Sequence, residues 1–188
     1  RREISEKKYF NKFLKKIPEP SNLKIIDRGE FNYNKNIIEE INKIKPNLIV
    51  SFGCSLIKDP LLKKYKEKFL NIHLGLSPYY RGSATNFWPF VNNELQFVGV
   101  SFLRIDEGID TGPIIHQIRP DFELGDTIHD VGNKLIMKMA KEIEQVIKNF
   151  KNLKQYEQKK TNKGKVFFKK DFNQTAVKKL NLNFKKNI

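Results

Sequence analysis

The sequence predicts an α/β fold with a mostly parallel sheet and helices on both faces. Three observations carry this. Leu48–Phe52 is an apolar run of strand length, the pattern of a strand buried on both faces. Phe69–His73 is a second such run, after a Lys-rich helical stretch. Around them lie segments with apolar residues at helical spacing, and this alternation argues for parallel strands joined by crossover helices.

Taken in order, Ile4, Phe10, Phe13, Leu14 and Ile17 predict a helix over 4–17, stopped by Pro18 and Pro20. Leu23–Ile26 predicts a short strand. Asn36 is the expected cap of a helix over 37–45, with Glu39 three residues on as in a capping box. Ile37, Ile38, Ile41 and Ile44 form its apolar stripe, and Pro46 ends it. From Asn71 to Gln117 the chain is dense in Gly, Pro, Ser and aromatic residues. Within this stretch a helix is expected over Ala84–Asn92, capped by Ser83 and kinked at Pro89. Val98–Ile105 and Ile114–Arg119 predict strands, and Thr127 opens the longest helix, to Phe150. Residues 1–150 read as one domain. Residues 151–188 read as a basic extension packing on it, with an apolar patch at Val166–Phe168 and a short helix over 174–180.

The chain opens on Arg1 with a helix, whereas a doubly wound sheet starts with a central strand. The expectation is therefore that the natural protein has residues upstream of Arg1. A sheet lacking them would expose an apolar edge around Leu48–Phe52.

Composition narrows the function classes. Hydrophobic residues at 39% and aromatic residues at 12% suit a packed core rather than a disordered chain. No apolar run approaches the roughly 18 residues of a membrane span. The opening residues are charged, unlike a secretory leader, so the cytoplasm is the expected compartment. Cys54 is the single cysteine, which rules out an internal disulfide and a cysteine-rich zinc site. The net charge of +15 suits an anionic partner. It also suits compositional bias, because Lys, Asn, Ile and Phe all have A/T-rich codons. The lysines run along the whole chain without forming a stripe, so bias is the preferred explanation and nucleic acid is not an expected partner.

Asn71 and His73 lie two apart in a strand, so their side chains share a face, at the strand's carboxyl end where open α/β sheets bind ligands. An amide there can donate to a developing oxyanion, and an imidazole can transfer a proton. The same spacing also fits a buried, satisfied histidine beside a strand-end Asn. Asp106–Pro113 places three carboxylates, two glycines and a proline between two strands, which suits a rigidly held carboxylate or an acidic turn. Between these motifs, Leu74–Gly82 carries two tyrosines and Arg81, a residue suited to phosphate or carboxylate.

Asn71-Ile72-His73, the Leu-Ser-Pro and Arg-Gly loop that follows, and Asp110-Thr111-Gly112-Pro113-Ile114-Ile115 together resemble the formyl transferase family. The family includes glycinamide ribonucleotide, methionyl-tRNA and sugar N-formyltransferases and formyltetrahydrofolate hydrolase. The resemblance covers roughly residues 36 to 130. It implies a Rossmann-like fold, whose opening strand–helix–strand would be missing here, and a catalytic domain over 1–150 that is incomplete at its N-terminus. It implies catalytic roles for Asn71, His73 and Asp110. It implies 10-formyltetrahydrofolate as formyl donor, held by Cys54, Leu56 and Ile57 and by the segment Ile105, Asp106 and Glu107. Ser77, Tyr80 and Arg81 are the expected substrate contacts.

The acceptor implied is a primary amine, with an amino group of a nucleotide-linked sugar favoured by the loop Tyr79–Trp88. Glycinamide ribonucleotide, methionyl-tRNA and water are the alternatives. From another class, a basic nucleic-acid-binding domain or an inactive remnant of the fold stays open, as does a homodimer. No membrane partner and no metal are expected, since neither His116 nor His129 sits among other ligand residues. The sequence departs from many members at Leu74-Gly75 and Leu76-Ser77, where they carry Pro-Ser and Leu-Leu. The spacing is unchanged, so the catalytic geometry is expected to survive.

Overall fold

A computed structural model describes every residue except Arg1, Arg28, Lys160, Asn162, Lys163 and Ile188, and omits the side chains of 185–187. Its main sheet has the order β1 (Ile49–Phe52), β2 (Phe69–His73), β4 (Val100–Leu103), β5 (Ile114–Ile118). β1 and β2 run parallel from Ile49↔Phe69 to Phe52↔Ile72. The β2–β4 and β4–β5 pairs are antiparallel. The α/β class therefore stands, but the sheet is mixed rather than mostly parallel. Parallel neighbours need a crossover of a dozen or more residues, usually a helix. The glycine-bearing loop between β4 and β5 instead folds the chain straight back.

Phe69 and Leu70, consecutive in β2, point to opposite faces and seed two cores. On one face Phe69 joins Ile49, the helix α2 (Lys35–Ile44) through Ile38 and Ile41, and α3 (Leu61–Tyr65). On the other, Leu70, Ile72, Val100, Phe102 and Ile118 meet α5 (Ile128–Lys148) through Val131, Leu135, Met139 and Val146. Each such side chain contributes about 1.5–3 kcal/mol by leaving water. Helix α1 (Arg2–Leu14) lies outside on α5, where Asn133 donates to Ser5 at 3.0 Å.

Several local expectations change. Leu23–Ile26 forms no strand, and Leu23, Ile25 and Ile26 are exposed. An extended segment becomes a strand only with a ladder partner alongside, and none lies there among the described residues. Leu48–Phe52 is not buried on both faces. β1 is an edge strand whose Val50 and Phe52 are 40% and 46% exposed, because neither joins the α5 core. The cap of α2 is Asn34, whose Oδ1 accepts from the backbone N–H groups of Asn36 (3.1 Å) and Ile37 (3.4 Å). Asn36 itself lies inside the helix. The helix expected over Ala84–Asn92 shrinks to α4 (Trp88–Val91), because Ala84 takes φ 55° and Ser83 caps nothing. Pro89 sits in its first turn, where a missing N–H costs little.

The C-terminal residues are woven in. β6 (Lys165–Phe167) pairs in parallel with β3 (Tyr80–Gly82), and α6 (Gln174–Asn187) packs on α4 and runs beyond the predicted 174–180. Phe167 stacks between Trp88 (4.3 Å) and Tyr80 (5.7 Å). This aromatic sandwich fixes β3, which supplies backbone groups to the site described below.

Thr127 caps α5 with the reciprocal bonds of a capping box: its side chain accepts from Asp130 N–H (3.2 Å) and its N–H donates to Asp130 Oδ2 (3.0 Å). Thr127→Ala is expected to cost about 1 kcal/mol and to lower the melting temperature by about 2–4 °C, read by circular dichroism. An unchanged midpoint would show that the cap is dispensable.

Candidate active site

The site forms where β1 and β2 end together. Asn71 and His73 project from the same face of β2, and the β4–β5 loop brings Asp110 over them. Asp110 is the hub. Its Oδ1 accepts from Asn71 Nδ2 at 3.1 Å. Its Oδ2 accepts from the Gly82 N–H at 2.8 Å and lies 3.3 Å from His73 Nδ1. The three residues assigned to catalysis from sequence thus converge, across separations of 39 and 37 residues between 71, 73 and 110.

The amide of Asn71 is oriented from the far side, because Ser51 on the neighbouring strand donates its hydroxyl to Asn71 Oδ1 at 3.0 Å. One Nδ2 proton goes to Asp110. Among the described residues the other has no acceptor, and Asn71 is half-buried, so this N–H is open to a ligand.

His73 is buried, with both ring nitrogens engaged: Nδ1 faces Asp110 and Nε2 lies 2.9 Å from the Tyr80 carbonyl. Only a ring with a proton on each nitrogen can donate to both acceptors. Gly75 permits this placement, since a Cβ there would sit 2.4 Å from Nε2. The departure from the family pattern at Leu74-Gly75 is therefore where the ring gains its room. Gly82 is equally constrained. Its φ is 90°, and a Cβ would fall 2.2 Å from the Phe167 carbonyl.

The remaining predicted residues divide. Cys54 and Leu56 are exposed in the loop after β1, Ile105 is half-buried, and Glu107 is exposed. Ile57 is a correction: it is 5% exposed and packs in the α3 core, so its side chain offers a ligand little. The Asp106 carboxylate is spent on its own loop, accepting from Gly108 N–H (3.0 Å) and the Thr111 hydroxyl (2.7 Å).

Ser77 and Tyr80 are further corrections, being 1% and 0% exposed. Ser77 is locked under β4 by Ser101, whose hydroxyl accepts from its N–H at 2.9 Å. The Tyr80 hydroxyl donates to Glu94 and accepts from Asn92, and burial, then the Glu94 bond, pushes the phenol well above its ordinary pKa. Tyr80 serves the site through its carbonyl. Arg81 alone of these three keeps exposed surface, and its Nε has no partner among the described residues.

Ser51 and Asn32 were not singled out from sequence. Ser51 carried a signal, as the one polar residue in the Leu48–Phe52 run. Asn32 carried none. Its amide donates to Leu56 O (2.9 Å) and accepts from Lys58 N–H (2.8 Å), shaping the loop that holds Cys54 and Leu56. Among the described residues, no group of three or more His, Cys, Asp or Glu could hold a metal ion, and no helix is long and apolar enough to cross a membrane.

The chain is 30% identical over 134 residues to a methionyl-tRNA formyltransferase of Caldicellulosiruptor saccharolyticus, covering 70% of this chain and 42% of that protein. It is 36% identical over 103 residues to a GDP-perosamine N-formyltransferase of Brucella melitensis, covering 54% and 39%. It thus spans about two fifths of the length of these curated relatives. Among solved structures it resembles WlaRD, a sugar 3N-formyl transferase crystallised with dTDP and 5-N-formyl-THF, at TM-score 0.59 and 29% identity, covering 67% of this chain and 46% of that one. The profile of one family, described as formyl transferase, matches residues 10–167, which takes in both β-strands of the site, the Asp110 loop and the strand that pins them. With that match across most of its length, the chain belongs to the formyl transferase family.

Proposed function

We propose that this chain carries the catalytic centre of a folate-dependent formyltransferase whose acceptor is an amino group on a nucleotide-linked sugar. The observation that carries the reading is the junction of Asn71, His73 and Asp110 around one carboxylate. The folate donor, 10-formyltetrahydrofolate, supplies the formyl carbonyl and leaves as tetrahydrofolate. The chain's residues suit such a donor. Cys54 and Leu56 offer exposed, largely apolar surface beyond β1, Ile105 packs on the cluster that holds Ile57 of the same loop, and Asn71 keeps an unspent N–H.

The acceptor amine attacks the formyl carbon, and charge builds on the carbonyl oxygen. Asn71 donates its free N–H to that oxygen. His73, charged beside Asp110, adds positive potential and reaches the oxygen by exchanging the Tyr80 carbonyl for it. Asp110 holds both donors in place and takes part, through water, in moving the amine's proton to the departing nitrogen. Arg81 is half-buried and keeps some exposed surface, and a guanidinium there suits the phosphates of a nucleotide sugar.

The sugar acceptor is supported by the Brucella relative and by WlaRD, whose names specify sugar substrates. Methionyl-tRNA is the second reading, favoured by the Caldicellulosiruptor relative and the charge of +15. The chain should be incubated with 10-formyltetrahydrofolate and, separately, GDP-perosamine, a dTDP-linked 3-amino sugar, glycinamide ribonucleotide and methionyl-tRNA, and products weighed by mass spectrometry. A formamide on a sugar nucleotide is the expected result. Formylation of methionyl-tRNA alone would establish the second reading. No formyl product, together with binding to random duplex DNA that falls steeply with salt, would replace both with a nucleic-acid role.

A further inference from the structure

We propose that Gln158 is a positioning residue for Asp110, acting from the C-terminal tail to hold the carboxylate against Asn71 and His73. The inference rests on the formyl-transfer reading of the site. The amide of Gln158 gives one proton to the Asp110 carbonyl (2.8 Å) and the other to the Gly112 carbonyl (2.7 Å). The two acceptors flank Thr111, so a single side chain grips the loop on both sides of one residue.

Asp110 needs such a grip. Its φ is 51°, in the left-handed region, which residues other than glycine keep only when their surroundings hold them there. Its side chain is held by Asn71 and by Gly82 N–H. Its main chain is held by Gln158. Release of the carbonyl lets φ relax, and rotation there swings the carboxylate away from Asn71 and His73.

Gln158 is itself anchored. Two residues before it, Tyr156 exchanges both backbone hydrogen bonds with Ile114 (2.8 and 2.9 Å). Beyond it, Lys165 N–H donates to the Tyr79 carbonyl at 2.8 Å and β6 joins β3. Glu157 and Lys159 on either side are exposed, whereas Gln158 turns inward. Its Oε1 is buried and accepts nothing among the described residues, so the amide is oriented by its two donated bonds. A flipped amide would set that oxygen against two carbonyl oxygens.

The test compares Gln158→Met and Gln158→Glu, which keep the length but lose the donors, with Asp110→Asn in the full chain. Ring-nitrogen NMR signals report the setting of each histidine, and His116 and His129 serve as internal controls. Both Gln158 variants should move the His73 signals toward their positions in Asp110→Asn and leave the controls in place. With GDP-perosamine as acceptor probe, kcat should fall about 10–100-fold with KM for the folate little changed. Adding Gln158→Met to Asp110→Asn should lower kcat no further, since both act through one carboxylate. Folded Gln158 variants with parental His73 signals and parental kcat, beside an inactive Asp110→Asn, would overturn the proposal and leave the site reading intact. A fully active Asp110→Asn would overturn the site reading and this proposal with it.

Discussion

Replacing His73 by Ala is expected to lower formyl transfer by about 10²–10⁴-fold, the usual worth of a proton-handling group placed at the reacting atoms. The fold should persist. β2 keeps its ladders to β1 and β4, Phe69, Leu70 and Ile72 keep their cores, and Asp110 keeps its bonds from Asn71 and Gly82. What disappears is the ring held between Asp110 and the Tyr80 carbonyl. The variant should therefore give a parental circular dichroism spectrum and a melting transition that stays cooperative, with turnover near background. Near-normal turnover in a folded variant would show that the oxyanion is stabilised by Asn71 alone and that His73 is a buried structural histidine.

Asp110→Asn is expected to be comparably severe, on the order of 10²-fold or more in kcat. Asp110 receives only donors: Asn71 Nδ2 on one oxygen, and Gly82 N–H with His73 Nδ1 on the other. An amide has one oxygen and one NH₂ group. Whichever way it turns, the NH₂ faces either Asn71 or the Gly82 and His73 pair, donor against donor. The charge that pairs with the histidine is lost as well. Asn71 and His73 therefore lose their common anchor while the surrounding core is untouched. Kinetics across substrate concentrations check this: kcat should fall with little change in the folate KM, because loops 53–57 and 105–107 are not moved. A variant with parental kcat would remove Asp110 from the mechanism.

The helix α5 and the strand β2 were readable because their signals are local. The α5 stripe repeats at helical spacing, and Thr127 and Asp130 sit where a helix start requires them. Phe69–His73 has the bounds its apolar run predicts. The signals that misled were also local. Leu23–Ile26 has strand composition, yet a strand exists only with a neighbour. Leu48–Phe52 has the composition of a central strand, yet burial depends on what lies beside and beneath it. The cap of α2 was expected at Asn36 and falls at Asn34, because the backbone turns into the helix two residues earlier.

The sequence by itself determined the chemistry available to this protein: an amide and an imidazole two apart on a strand, followed by a carboxylate in a glycine-flanked loop. Side-chain alternation in a strand is a property of the covalent chain, so the Asn71–His73 pair needed no tertiary information. Only the tertiary structure decided what that chemistry touches. It turned Ser77 and Tyr80 inward because the loop carrying them is trapped beneath β4 and beside Phe167. It made Ser51, Gly82 and Gln158 partners of the site from 20 to 48 residues away in sequence. No period or motif encodes such contacts. They arise when packing closes the chain on itself and each buried donor must find an acceptor.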